Sequence, residues 1–119
     1  MILAIDNDKK RLAKTAGLLR GVFPNDSIIT EHNPLAAVRY ACQNPIDMMF
    51  VALDIRPMDG IQLVQTVKKI REQTKVYITS GPRNLEEEFI FEDEADGFVS
   101  DPLTEEKIRT VLSGRAVCV

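Results

Sequence analysis

The stretch from Pro45 to Gly60 reads PIDMMFVALDIRPMDG. Its centre, from Met48 to Leu53, is an unbroken apolar run. Such a run predicts a β-strand that is buried on both faces, like the central strand of a parallel sheet. Pro57 then interrupts the pattern, and Gly60 opens a segment with apolar residues at helical spacing. In open parallel sheets, ligands bind at the carboxyl ends of the strands, so we expect a functional site just after this run.

Strand and helix patterns alternate along the whole chain. Further strands are predicted to begin near Ile2, Ser27, Val76 and Gly97, and helices near Lys9, Pro34, Gly60, Leu85 and Thr104. Gly21 is expected to end the first helix, and an acidic helix is expected from Leu85 to about Glu94. The alternation predicts an α/β domain over residues 1–114, with a doubly wound, five-stranded parallel sheet of (βα)5 type. Residues 115–119 form an apolar tail, interpreted as the stub of a following segment.

Composition excludes several classes of function. The chain has 119 residues, of which 45% are hydrophobic and 28% charged, with a net charge of −3. Mild acidity argues against a nucleic-acid-binding surface across the domain. No apolar run is long enough to cross a membrane, and the start MILAIDND lacks a basic signal-peptide region. Cys42 and Cys118 are far apart and lack metal-ligand spacing, so we expect reduced thiols in a cytoplasmic protein.

Polar residues follow the predicted strands at their carboxyl ends. They are Asp6, Asn7 and Asp8 after the first, Thr79 and Ser80 after the fourth, and Asp101 with Pro102 after the fifth. With Met58-Asp59-Gly60 after the third strand and Phe98 in the fifth, this order resembles the receiver domain of bacterial response regulators over residues 1–113. The resemblance implies the flavodoxin-like receiver fold and a role in two-component signal transduction, without enzymatic activity.

Several positions depart from the pattern that the resemblance implies. The family carries an acidic pair after strand one, a phosphoacceptor Asp at the end of strand three, and a Lys-Pro with a cis bond after strand five. Aligned without gaps from Pro45 to Gly60, the phosphoacceptor position is Ala52. The second acid is Asn7, and the lysine position is Asp101. The metal that clamps a phosphoryl group needs these carboxylates as ligands. We therefore expect a degenerate, aspartate-less receiver without a cofactor.

A second alignment makes Asp54 the phosphoacceptor, with Mg²⁺ as its cofactor. It requires two extra residues in the central strand and two fewer in the following loop. Insertions within a buried strand break the pairing of the ladder, so we prefer Ala52. Weak metal candidates are Asp6, Asp8 and Asp54, although Asp8 is also suited to cap the first helix.

The remaining expectations concern switches and partners. By resemblance, Thr79 or Ser80 supplies a switch hydroxyl and Phe98 a rotating aromatic, although each also suits a purely structural role. The resemblance implies docking or self-association through a surface from about Leu85 to Leu112, with a protein partner or a C-terminal effector domain. Neither nucleic acid nor membrane is expected as a partner. A flavodoxin-like cofactor-binding protein is the remote alternative.

Overall fold

A computed structural model describes residues 1–79, 95–100 and 102–113. Within these ranges the chain forms five strands and four helices. The strands are β1 (Ile2–Ile5), β2 (Ile28–Glu31), β3 (Met48–Ala52), β4 (Lys75–Thr79) and β5 (Gly97–Val99). The helices are α1 (Lys9–Val22), α2 (Pro34–Gln43), α3 (Gly60–Ile70) and α4 (Glu105–Leu112). None of these helices is long and apolar enough to span a membrane.

The five strands form one parallel sheet in the order β2-β1-β3-β4-β5. This arrangement confirms the predicted (βα)5 fold. The apolar run from Met48 is indeed the central strand, and it pairs with β1 on one side and β4 on the other. From Met49 to Ala52 every residue is buried, as expected for a strand covered on both faces.

Successive side chains of the strands point to opposite faces, and each face has its own core. On β1, Leu3 and Ile5 belong to the core that packs under α2 and α3. Ile2 and Ala4 belong to the opposite core, under α1 and α4. The doubly wound architecture follows from this alternation, because each face of the sheet must be covered by helices.

Helix starts match their sequence signals. Asp8 caps α1 by accepting hydrogen bonds from the backbone N–H groups of Lys10 and Arg11, so the capping prediction is confirmed. Asn33 caps α2, which begins at Pro34. Asp59 and Gln62 form a reciprocal capping box at the start of α3, which fixes where the loop after β3 ends.

The predicted end of the first helix is wrong. Helix α1 continues through Gly21 to Val22, and Phe23 is its C-cap. A Cβ atom on Gly21 would lie 2.5 Å from Oε2 of Glu105. Gly21 lies beside the flexible side chain of Glu105 at the start of α4, and it does not terminate the helix. The glycine signal was therefore wrongly assigned to a C-cap.

Other boundaries differ by one or two residues. Strand β3 ends at Ala52 rather than Leu53, and α3 ends at Ile70 rather than near Glu72. The acidic helix expected from Leu85 to Glu94 and the tail 115–119 lie outside the described residues, as do Ser80, Asp101 and Cys118.

Candidate functional site

The site is built on Asp6, the first residue after β1. Its side chain is 4% exposed. Its Oδ1 accepts the backbone N–H of Asp8 at 3.0 Å. The same carboxylate receives Arg11 in a bidentate ion pair, with Nε at 2.5 Å from Oδ2 and Nη2 at 2.8 Å from Oδ1. Asp6 is thus a buried charge whose oxygens are engaged by donors of its own chain.

Arg11 joins Asp6 to Asp54 across the top of the sheet. Its Nη2 also donates to Oδ1 of Asp54 at 2.8 Å. Asp54 follows β3 in the turn, and its side chain is 63% exposed, against 32% for Arg11. The hydrogen bonds from Arg11 to Asp6, with the negative charge of both carboxylates, raise the pKa of Arg11 above its ordinary value despite partial burial. The guanidinium therefore stays charged at any pH at which the protein is folded.

Asn7 connects the segments that follow β2 and β3 by hydrogen bonds. Its Nδ2 donates to the carbonyl oxygens of His32 at 2.7 Å and Arg56 at 3.0 Å. Its Oδ1 accepts the backbone N–H of Arg56 at 2.6 Å. Residue His32 follows β2, and Arg56 lies in the loop after β3, where the Arg56-Pro57 peptide bond is cis. An amide can make these contacts because it both donates and accepts, whereas a carboxylate only accepts.

Ala52 is the last residue of β3 and is fully buried. It pairs in register with Thr79, the buried last residue of β4. The chain then turns tightly, because the N–H of Gly60 donates to the carbonyl of Leu53 at 2.9 Å. A Cβ on Gly60 would lie 2.8 Å from the Ala52 carbonyl oxygen, so this position requires glycine. A methyl group therefore ends the central strand, and the first carboxylate after it is that of Asp54.

Phe98 and Pro102, two other predicted site residues, have contacts outside this cluster. Phe98 is half-buried in β5 and packs against the core on the α2 and α3 side. Pro102 is exposed, and its carbonyl accepts a hydrogen bond from Nζ of Lys107 at 3.0 Å. His32 is exposed and contributes only its carbonyl to the contacts of Asn7. Cys42 is an exposed free thiol.

Comparison with known proteins agrees with this architecture. A family model described as the response regulator receiver domain matches residues 2–113. The chain belongs to this receiver domain family. No curated protein matches the sequence.

Solved structures show how widely the receiver fold is shared. A CheY-like receiver domain protein from Methanospirillum hungatei has a TM-score of 0.81 at 18% identity, covering 95% of this chain and 90% of that one. The chemotaxis protein CheY4 of Vibrio cholerae has a TM-score of 0.81 at 16% identity, with 95% of each chain covered. A response regulator from Burkholderia pseudomallei with a phosphorylated aspartic acid, calcium ion and citrate has a TM-score of 0.78 at 19% identity, covering 93% and 65%. At these identities, the likeness shows the fold alone.

The divalent cation that the receiver family implies does not fit the described residues. No group of three or more metal-ligating side chains occurs within the ranges that the structure describes. Asp6 and Asp54 both receive Arg11, and Oδ1 of Asp8 caps α1. A hard cation requires six or more oxygen ligands, supplied mainly by carboxylates, carbonyls and water. Here the carboxylates are already paired with an internal positive charge.

Arg11 is the functional residue that the sequence analysis missed. A signal was present, because Lys9, Lys10 and Arg11 form the first turn of α1, which has no acidic residue. Cations at a helix N-terminus oppose the helix dipole. Such an unfavourable run next to Asp6 indicates that one of the cations has a tertiary partner.

Proposed function

We propose that this receiver domain acts in signal transduction by protein–protein interaction that does not depend on phosphorylation. The observation that carries the proposal is Ala52, buried at the end of the central strand. Phosphotransfer to a receiver needs a carboxylate oxygen that attacks phosphorus. A methyl group has no such atom, so this position cannot accept a phosphoryl group.

The pairing of β3 supports the assignment of Ala52. From Met48 to Ala52 the strand pairs residue by residue with Lys75–Thr79, without a bulge. The alternative assignment of Asp54 requires two extra residues within this strand, and extra residues in a ladder produce bulges. The unbroken register favours the gapless alignment.

A second candidate function is phosphorylation of Asp54. The observation that favours it is the network of Arg11, which brings the carboxylate of Asp54 close to that of Asp6. Since both oxygens lie 2.8 Å from one nitrogen, they are less than twice that distance apart. Asp54 is also exposed enough to meet a phosphodonor.

The rest of the cleft is poorly suited to that second function. A phosphoryl group carries negative charge, and a divalent cation normally offsets it during transfer. Asn7 supplies no charge to hold such a cation, and its oxygen already accepts the N–H of Arg56. Asp54 would have to react beside the buried carboxylate of Asp6, and among the described residues Arg11 is the cation seen to bind it.

The interaction surface that we propose runs from about Leu85 to Leu112. Its described part comprises β5 and α4, which contact each other at one edge of the sheet. Among the described strands, β5 pairs only with β4 and lies at the edge of the sheet. We propose a protein partner, a second copy of the chain or a linked effector domain as the occupant, with the protein acting in the cytoplasm.

The test is incubation with acetyl phosphate and Mg²⁺, followed by quantification of acid-labile, hydroxylamine-labile phosphate, with the mass increase of the intact chain measured by mass spectrometry. We expect no aspartyl phosphate on the wild-type chain. Asp54→Asn should behave identically, and so should Asp26→Asn, a control at an exposed turn acid.

Stoichiometric phosphate on wild type and Asp26→Asn that disappears in Asp54→Asn would replace the proposal with the second candidate. Phosphate that persists in Asp54→Asn would place an acceptor elsewhere and overturn both.

A further inference from the structure

The cleft contains two acidic groups and one positive charge of the chain's own. Nη2 of Arg11 donates to Asp6 and to Asp54, each at 2.8 Å, and its Nε donates to Asp6 at 2.5 Å. A divalent cation placed between these carboxylates would have to occupy the space that Nη2 of Arg11 already fills. A guanidinium and a metal ion are therefore mutually exclusive at this position.

We propose that Arg11 is a built-in replacement for the divalent cation of receiver domains. Its guanidinium neutralises Asp6 and Asp54 and keeps Mg²⁺ out. The same two carboxylates become a cation site once the guanidinium is removed.

The geometry makes exclusion effective. Asp6 is almost fully buried, so its charge must be paired within the protein. A metal could enter only by displacing a bidentate, charge-assisted pair, and the released guanidinium would then lie beside the metal with like charge. Such an exchange would replace a hydrogen-bonded ion pair with an arrangement in which two positive charges repel each other.

Arg11 is also held in place by its helix. Its backbone N–H donates to the cap residue Asp8 at 3.2 Å, and its carbonyl accepts the hydroxyl of Thr15 at 3.0 Å. Thr15 is itself a buried residue of α1. A tethered cation competes at a high effective concentration, whereas a free ion must be taken from solution and partly dehydrated.

This inference is separable from the proposed function, because cation affinity is measured without any phosphodonor. A chain that accepts phosphate on Asp54 without metal would disprove the proposed function and leave this inference standing. Conversely, metal binding by the wild-type chain would disprove this inference and leave Ala52 unable to accept phosphate.

The experiment measures binding of Mn²⁺ by electron paramagnetic resonance, with Mg²⁺ as competitor, on four proteins. They are wild type, Arg11→Gln, Lys10→Gln and the double variant Asp6→Asn with Arg11→Gln. Lys10→Gln removes the same charge from the same exposed helix turn and is the matched control. We expect Arg11→Gln to bind Mn²⁺ at least about tenfold more tightly than wild type and Lys10→Gln, and the double variant to lose the gain.

The proposal is overturned if wild type binds as tightly as Arg11→Gln, if Lys10→Gln gains as much, or if folded Arg11→Gln gains nothing. A gain that survives Asp6→Asn also overturns it, because the ion would then bind elsewhere. If Arg11→Gln is unfolded without metal, the proposal is tested by recording its circular dichroism spectrum with added Mg²⁺. Recovery of the folded spectrum supports the proposal, and failure to recover contradicts it.

Discussion

At the scale of single residues, an amide at position 7 does what an acid could not. Asn7 donates to two carbonyl oxygens and accepts one N–H, and so connects the segments that follow β1, β2 and β3. A carboxylate at the same place would face the carbonyls of His32 and Arg56 without a proton to share. The amide of Asn7 therefore attaches the loop after β3 to the segments that follow β1 and β2.

We predict that Asn7→Asp destabilises the fold, although it restores the residue type that the family resemblance implies. Two donors are lost and two carbonyl oxygens are left facing negative charge, which should lower the free energy of unfolding by about 1–2 kcal/mol given partial exposure. Urea denaturation measures the change, with Asn25→Asp in an exposed turn as the control. An unchanged midpoint for Asn7→Asp would mean that these hydrogen bonds contribute no net stability.

The positions of several predicted residues relative to the strands could be predicted from the sequence, but their contacts could not. Asp6, Asn7, Ala52 and Thr79 were predictable because each ends or follows a strand whose apolar pattern is clear. Arg11 was not, because its role depends on a contact with Asp54, forty-three positions away in the sequence. Local pattern gives the position of a residue within its element, whereas the partner of a long side chain depends on how elements pack.

At the scale of elements, close packing is found where α4 contacts β5. A Cβ on Gly97 would lie 2.5 Å from Cγ2 of Val111 and 3.0 Å from Cδ1 of Tyr77. The strand can approach both only because Gly97 has no side chain. Helix α4 is held at its start by Thr104, whose side chain accepts the N–H of Lys107 at 3.1 Å.

We predict that Gly97→Ala lowers the free energy of unfolding by about 1–3 kcal/mol, because the added methyl group overpacks this contact. Gly17→Ala is the matched control, because Gly17 is an exposed residue of α1. Apart from its neighbours in the helix backbone, no atom lies within 4 Å of the position of an added Cβ. That control should gain about 0.5–1 kcal/mol from the lower entropy of the unfolded chain. Equal effects of the two substitutions in thermal denaturation would show that the side chains of Val111 and Tyr77 move aside without loss of stability.

The type and order of the helices and strands were more predictable than the residues at which they end. The apolar run of β3 and the cap residues Asp8 and Asn33 are signals within a few neighbouring positions, so the order of elements followed from them. Gly21 misled because glycine is common just past the end of a helix but can also lie within one. The C-cap at Phe23, whose N–H donates to the carbonyl of Leu19, shows that the helix continues past Gly21.

At the scale of the whole molecule, stability depends on two cores separated by one sheet. Tyr77 belongs to the core under α1 and α4, where its ring stacks on Phe50 with centroids 5.2 Å apart. Burial, and to a smaller degree the negative charge of Asp96, raises the pKa of the Tyr77 phenol. The neutral phenol is therefore favoured in the folded chain relative to the unfolded one.

The sign of the resulting pH dependence is clear. Below pH ~10 the phenol is neutral in both states, so its contribution to stability is intact. Above that pH the unfolded chain releases the proton more readily, and the free energy of unfolding falls by up to ~1.4 kcal/mol for each pH unit until the folded phenol ionises as well. Tyr77→Phe should flatten this alkaline decline in urea denaturation, whereas Tyr40→Phe should keep it. An equally steep decline in Tyr77→Phe would assign it to other groups.

The salt link through Arg11 also has a physiological consequence. A counterion that is part of the polypeptide cannot be stripped by a chelator or depleted when magnesium is scarce. Its supply is fixed at translation, one for each chain. If Arg11 excludes a metal as we propose, information that passes through this domain arrives by a route other than the loading and unloading of a metal at Asp6.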